Sequence, residues 1–167
     1  MNVIETERLN LRWLTLADAA FVLELVNEPS WLRFIGDRNV HSIADAEAYI
    51  AKGPLDSYEK NGFGLYLVEL KEGGAPAGMC GLIRRDTLPH VDIGFAFSPR
   101  FWGRGLALEA AAAVMAYGRD TLGLQPILAI VNPDNERSIS LLEKIGMRFE
   151  RMLRLPTDDF EVKVFTS

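Results

Sequence analysis

The sequence predicts a mixed α/β domain over residues 1–167, with about seven strands in one sheet and about four helices on its two faces. Three observations carry this. The chain of 167 residues is 49% hydrophobic and 25% charged, which is the size and composition of one globular domain. Capped helical periods come first, alternating strands joined by a hairpin follow, and a strand–helix–strand–helix–strand order closes the chain. No internal repeat, linker or low-complexity segment divides it.

Leu9, Leu11 and Trp13 alternate with Arg8, Asn10 and Arg12, the period of a strand with one buried face. Thr15 and Asp18 have capping-box spacing ahead of a helix over 19–26, which stops before Asn27-Glu28-Pro29. Trp31 to Ile35 lie between this helix and the next. Ser42 and Asp45 repeat the cap before Ala46, Tyr49 and Ile50, and Gly53-Pro54 is expected to bend or restart that helix before Tyr58. Residues 63–70 and 76–84 are strands joined by Lys71-Glu72-Gly73-Gly74-Ala75, a hairpin turn whose glycines accept positive φ. A strand over 91–97, an alanine-rich helix over 106–122 stopped by Gly123, and a short buried strand over 126–131 follow. Asn135 opens a further helix that Gly146 closes, and strands over 147–155 and 160–165 flank the turn Pro156-Thr157-Asp158-Asp159.

The 18 basic and 23 acidic residues give a net charge of −5, which lacks the electrostatic footprint of a general nucleic-acid binder. Cys80 is the single cysteine, so neither an intrachain disulfide nor a cysteine metal cluster is available. The acids Glu5 and Glu7 stand where a secretory leader carries basic residues, and the apolar run over 110–117 is shorter than the roughly 18 residues that argue for a membrane span. A cytoplasmic protein with no membrane partner is expected. His41 and His90 are isolated and take no role.

The chemistry is concentrated between Asp92 and Ala110, where a strand passes through a glycine-rich turn into a helix. Gly103 and Gly105 let the backbone approach a ligand, and the unpaired N–H groups at the helix start favour an anion such as a pyrophosphate. A tight turn without a ligand uses the same glycines. In the strand, Val91, Ile93, Phe95 and Phe97 share one face, and Asp92, Gly94, Ala96 and Ser98 share the other, where small side chains leave room for a slim ligand.

Together with Thr6-Glu7-Arg8-Leu9-Asn10-Leu11-Arg12, Asp92-Ile93-Gly94, Arg100-x-x-Gly103-x-Gly105-x-Ala107, and Asn135-x-x-Ser138 ahead of Leu142-Glu143-Lys144-x-Gly146, the chain resembles the GNAT N-acetyltransferase superfamily. The resemblance is to the branch similar to ribosomal-protein-alanine acetyltransferases, and it covers nearly the whole sequence. It implies a mostly antiparallel sheet with splayed central strands and an acetyl group carried by acetyl-CoA, with no metal. By the same resemblance the backbone at Phe95, Ala96 and Phe97 pairs with pantetheine amides. The loop Arg100, Gly103, Arg104, Gly105, Leu106 and Ala107 holds the pyrophosphate.

Asp92 is the implied base, acting through water, and its other reading is a solvated strand-end acid. Ser138 resembles the serine that protonates the leaving sulfur, although ordinary first-turn polarity also accounts for it. Asn135 contacts the cofactor, or caps its own helix through the amide of Ser138. Leu142 stands where many members of the superfamily place an acidic tyrosine, and it has no proton to give. Trp31, Phe34 and Tyr66 line the acceptor pocket or simply fill core. The acceptor is a primary amine, either a protein amino terminus or a small amine. The alternative function is an acyl-CoA-binding or sensing module that performs no chemistry.

Overall fold

A computed structural model describes residues 2–156 and 160–167. Its centre is an eight-stranded sheet in the order β1-β2-β3-β4-β5-β6-β8-β7. The strands are β1 (Asn2–Glu5), β2 (Leu9–Trp13), β3 (Leu65–Leu70), β4 (Pro76–Ile83), β5 (Asp92–Phe97), β6 (Leu128–Val131), β7 (Arg148–Arg154) and β8 (Glu161–Thr166). Only β5 and β6 run parallel, and they pair at a single position, Asp92 opposite Leu128. Beyond it the two strands part. The expected mixed, mostly antiparallel sheet with a central splay is present.

Three expectations need correction. The sheet has an eighth strand, β1, because Asn2–Glu5 pairs with β2 through its backbone, with Val3 and Ile4 half-buried against the core and Asn2 and Glu5 exposed. A short helix α2 (Pro29–Phe34) follows α1 (Ala19–Val26). Pro29 sits in its first turn, where a missing N–H costs nothing. Gly53-Pro54 does not break the second helical stretch: α3 (Ile43–Ile50) passes through a π-helical segment, Ala51–Leu55, directly into α4 (Asp56–Asn61). The wider π turn removes the clash between the proline ring and the carbonyl one α-turn back. Of the turn expected at 156–159, Thr157, Asp158 and Asp159 lie outside the described residues.

The caps hold. Thr15 and Asp18 form a reciprocal capping box on a short 3₁₀ turn leading into α1, and Ser42 Oγ accepts the Asp45 N–H at 3.0 Å. Helices cover both faces. Leu106, Ala110, Ala111 and Val114 of α5 (Leu106–Asp120) pack on one face with Tyr66, Cys80 and Ile93, while Val22, Leu25, Ala46 and Ile50 of α1 and α3 pack on the other with Leu67 and Met79. Burying these apolar groups is the main stabilising force. Cys80 is wholly buried, and burial pushes its thiol up. No described helix is long and apolar enough to cross a membrane.

Candidate active site

The fork between β5 and β6 opens two cavities that share a wall. The larger, about 1000 Å³, runs from Asp92, Gly94 and Ala96 on β5 to Ala129 and Val131 on β6. The smaller, about 500 Å³, lies along Phe95 to Phe97 and the start of α5. Trp31, Phe34, Phe95, Ala96, Asn135 and Ser138 line both.

Strand alternation decides which backbone groups the fork exposes. Val91 O accepts the Leu128 N–H on the β6 side, and the Ser98 N–H donates to Ala77 O on the β4 side. Every second residue from Val91 therefore turns its N–H and C=O towards β6. Where β6 has diverged, Phe95 and Phe97 present theirs to the gap. Phe97 O is taken by Trp102 Nε1 at 2.9 Å, which leaves the Phe95 N–H and C=O and the Phe97 N–H free for an extended ligand carrying amides. Ala96 cannot take part through its backbone, which faces Met79 on β4. It contributes a small side chain to the cavity wall instead.

At the end of that edge Gly103 and Gly105 hold φ of +77° and +75°. A Cβ at Gly103 would meet nothing within 4 Å, so the loop is open to a ligand there. Gly105 is the N-cap of α5, and the N–H groups of Leu106, Ala107 and Leu108 open that helix without intrahelical acceptors. Arg100 lines neither cavity. The Phe101 and Trp102 N–H groups are spent on Ser98 O and Pro99 O. The Arg100 and Arg104 guanidiniums lie over the Phe101 ring, at 5.1 and 5.7 Å from its centroid. The cradle therefore narrows to Gly103 through Leu108.

A clamp fixes the loop from outside. Arg8 Nη1 donates to Arg104 O at 2.8 Å and its Nε to Glu109 Oε1 at 2.8 Å, while the Arg8 N–H and the Thr6 hydroxyl donate to Glu109 Oε2. Burial alone would raise the Glu109 carboxyl, but these donors from Thr6 and Arg8 hold it below the usual carboxylate range. This is the structural role of the Thr6-x-Arg8 pattern.

Asp92 is not a solvated acid. It is 1% exposed, with Oδ1 accepting from Arg85 Nε at 3.0 Å and Oδ2 buried without a protein partner. Burial pushes its carboxyl up to about 6 against the pull of Arg85. Asn135 Oδ1 accepts the Ser138 N–H at 3.2 Å, so the cap reading of Asn135 holds. Ser138 and Leu142 stand one turn apart on α6 (Glu136–Lys144), both facing the larger cavity, and Leu142 is buried.

Trp31 is 6% exposed with its Nε1 unpartnered, and it lies with Phe34 at the junction of the cavities. Tyr66 does not join them. It pairs with Cys80, one residue out of phase with the cavity-facing Leu65 and Met79, so its ring enters the core beneath α5, stacked on Tyr58 at 5.8 Å. His41 and His90 are exposed.

A parallel-strand fork with free backbone groups, a left-handed glycine loop and an anion-ready helix start, opening on a separate cleft, fits an enzyme that brings two substrates together. The sequence comparison names the chemistry. The chain belongs to the acetyltransferase (GNAT) domain family, whose model matches residues 8–148, and it is an acetyltransferase. It is 33% identical over 154 residues to the uncharacterized N-acetyltransferase YoaA of Bacillus subtilis, covering 91% of this chain and 86% of that one. It is 28% identical over 102 residues to the ribosomal protein uS5-alanine N-acetyltransferase of Escherichia coli, covering 59% and 52%. Among solved structures, the acetyltransferase from Agrobacterium tumefaciens superimposes with a TM-score of 0.83 at 26% identity, covering 98% of this chain and 92% of that one.

Proposed function

We propose that this acetyltransferase uses acetyl-CoA to acetylate a primary amine, a protein amino-terminal α-amine or a small amine, by direct attack. The observation that carries the reading is the meeting of the two cavities at the β5–β6 fork, with the unpartnered Asp92 Oδ2 on the acceptor side and the glycine cradle on the other. Acetyl-CoA supplies a thioester: the amine nitrogen forms the C–N bond, the C–S bond breaks, and coenzyme A leaves. The residues position the partners and move protons.

The Phe95 edge and the Phe97 N–H hold the pantetheine amides, and the N–H groups from Gly103 to Leu108 hold the pyrophosphate. An ammonium acceptor gives up two protons on becoming an amide. Asp92 takes one, directly or through a water, and passes it to solvent; the other returns to the sulfur, with Ser138 as donor on the far side of the junction. A carboxyl near 6 is still about 90% ionised at pH 7, and it stands closer to an α-amine at roughly 7.7–8.0 than an ordinary carboxyl does, which eases transfer. A lysine amine at about 10.4 would be harder to deprotonate.

Coenzyme A release measured against a panel of amines and amino-terminal peptides tests this. Release that depends on the acceptor and saturates with acetyl-CoA is expected. Tight acetyl-CoA binding with no turnover on any amine would overturn it in favour of a binding module.

A further inference from the structure

The cleft that receives the amine is not the acidic trough that a polycation would need. One wall is a helical face running unbroken through the π segment, where Asp45, Tyr49, Lys52, Asp56 and Lys60 recur every three to four residues. Lys60 and Asp56 neutralise each other at 3.0 Å, and Asp45 Oδ2 accepts the His41 N–H at 3.0 Å. Lys52 has no carboxylate partner among the described residues. Neither has Arg38, which faces the same cleft from the loop before α3.

Arg38 and Arg85 both bear on the Tyr49 hydroxyl: burial pushes the phenol up, and the two guanidiniums pull it back. Arg85 already serves Asp92. Among the described residues of the cleft, Arg38, Lys52 and Arg84 thus have no carboxylate partner, Asp45 and Asp86 have no cation partner, and the buried Asp92 keeps one oxygen to spare, so the lining is not net acidic. An ammonium satisfies Asp92 Oδ2. A second ammonium on the same molecule would meet Arg38 or Lys52, and like charges there cost binding.

We infer that the acceptor is a primary amine that also bears an anionic oxygen group, carboxylate or phosphate, with its amine at Asp92 and its anion between Arg38 and Lys52 beside the Tyr49 hydroxyl. A guanidinium takes either oxyanion through paired N–H donors, and an ammonium adds a point charge. This assignment rests on the transferase reading, with the bonds and protons as written there; it adds which amine enters.

The test uses the whole chain saturated with coenzyme A, so that binding is read without turnover. Calorimetry compares β-alanine with β-alaninamide, phosphoethanolamine with ethanolamine, and a tripeptide with its C-terminal amide; spermidine is the polycation. The anionic member of at least one pair should bind roughly ten- to hundred-fold more tightly than its neutral counterpart, the scale of charge-assisted hydrogen bonds. The winning pair distinguishes carboxylate from phosphate. Arg38 and Lys52 are exposed, so Arg38→Gln and Lys52→Gln should fold normally. Each should shrink the ratio, and added salt should shrink it further.

Neutral amines or spermidine binding as tightly as the anionic amines, or a ratio that survives both substitutions, would overturn the inference. The two readings fail separately. A charge preference in binding without coenzyme A release from any acceptor would remove the transferase reading alone. Release that is as fast with neutral or polycationic amines would remove this one alone.

Discussion

Replacing Asp92 by asparagine should make the protein a poorer enzyme and a more stable one. Folding moves this carboxyl from 3.8 to about 6, so between those values the folded state holds a proton that the unfolded state has lost. The sign follows directly: the protonated acid is tolerated at low pH, and stability is lost as pH rises through about 6. At 1.36 kcal/mol per unit the ionised carboxylate costs about 3 kcal/mol at neutral pH. Asparagine is never charged and keeps the Oδ1 acceptor for Arg85, which is one-third exposed and can also reach water. Asp92→Asn should therefore melt roughly 6–12 °C higher at pH 8 and no higher at pH 4, given about 2–4 °C per kcal/mol for a chain of this size. Its turnover at pH 7 should fall by about 10²-fold or more, the range of positioned proton transfer, with partial recovery near pH 9 as the amine becomes neutral unaided. Wild-type activity should decline as pH falls through about 6. The groups around the carboxyl are Arg85 alongside, with Tyr49, Arg38 and Asp86 lining the same cleft. Thermal melts and pH–rate profiles of both proteins read these effects. A variant no more stable at pH 8 than wild type would refute the burial argument, and an unchanged profile would remove Asp92 from the mechanism.

Gly105→Glu forces a side chain into left-handed backbone at φ +75° and aims it at the Arg8 guanidinium, 3.5 Å from an added Cβ, so the clamp and the loop it holds are disturbed, and calorimetry should show acetyl-CoA affinity reduced by roughly 10-fold or more. Ser138→Ala keeps the Asn135 cap, because the capped group is a backbone N–H; its melting point should hold while kcat at saturating acetyl-CoA drops about 10²-fold, and a wild-type kcat would leave the thiolate to solvent. Tyr66→Phe should leave both Michaelis constants within about twofold of wild type, since the ring lies in the core under α5, and a raised amine KM would return Tyr66 to the acceptor site.

Signals confined to a few neighbouring residues were legible in the sequence. Thr15 with Asp18, Ser42 with Asp45 and Asn135 with Ser138 announce their helices because a cap is a contact three residues long. The alternation in 91–97 puts Asp92, Gly94 and Ala96 on the side that lines the larger cavity, although Ile93 and Phe95 of the opposite set reach it too, and Gly103 and Gly105 stand where left-handed backbone is required. What stayed hidden depends on partners far away in the chain. Strand β1 carries no apolar alternation and exists through backbone pairing with β2. The π segment resolves a conflict between Pro54 and an otherwise continuous helix, and the sequence states only the conflict. The size of Tyr66 suits pocket and core alike; a one-residue phase relative to Leu65, fixed by pairing with β4, sends it to the core. Asp92 was found, but its burial and its Arg85 partner were not, because both come from how the loop after β4 folds over the strand.

The clamp on the glycine loop joins residues 101 positions apart, Arg8 and Glu109. Loop closure over that distance is a late reward in folding, because its entropy must be spent before the contact forms. The groove therefore has its final shape only where the residues before β2 and the start of α5 are held together. A ligand seated in that groove adds its binding energy to the stability of the whole fold, because both halves of the clamp must be in place for the groove to exist.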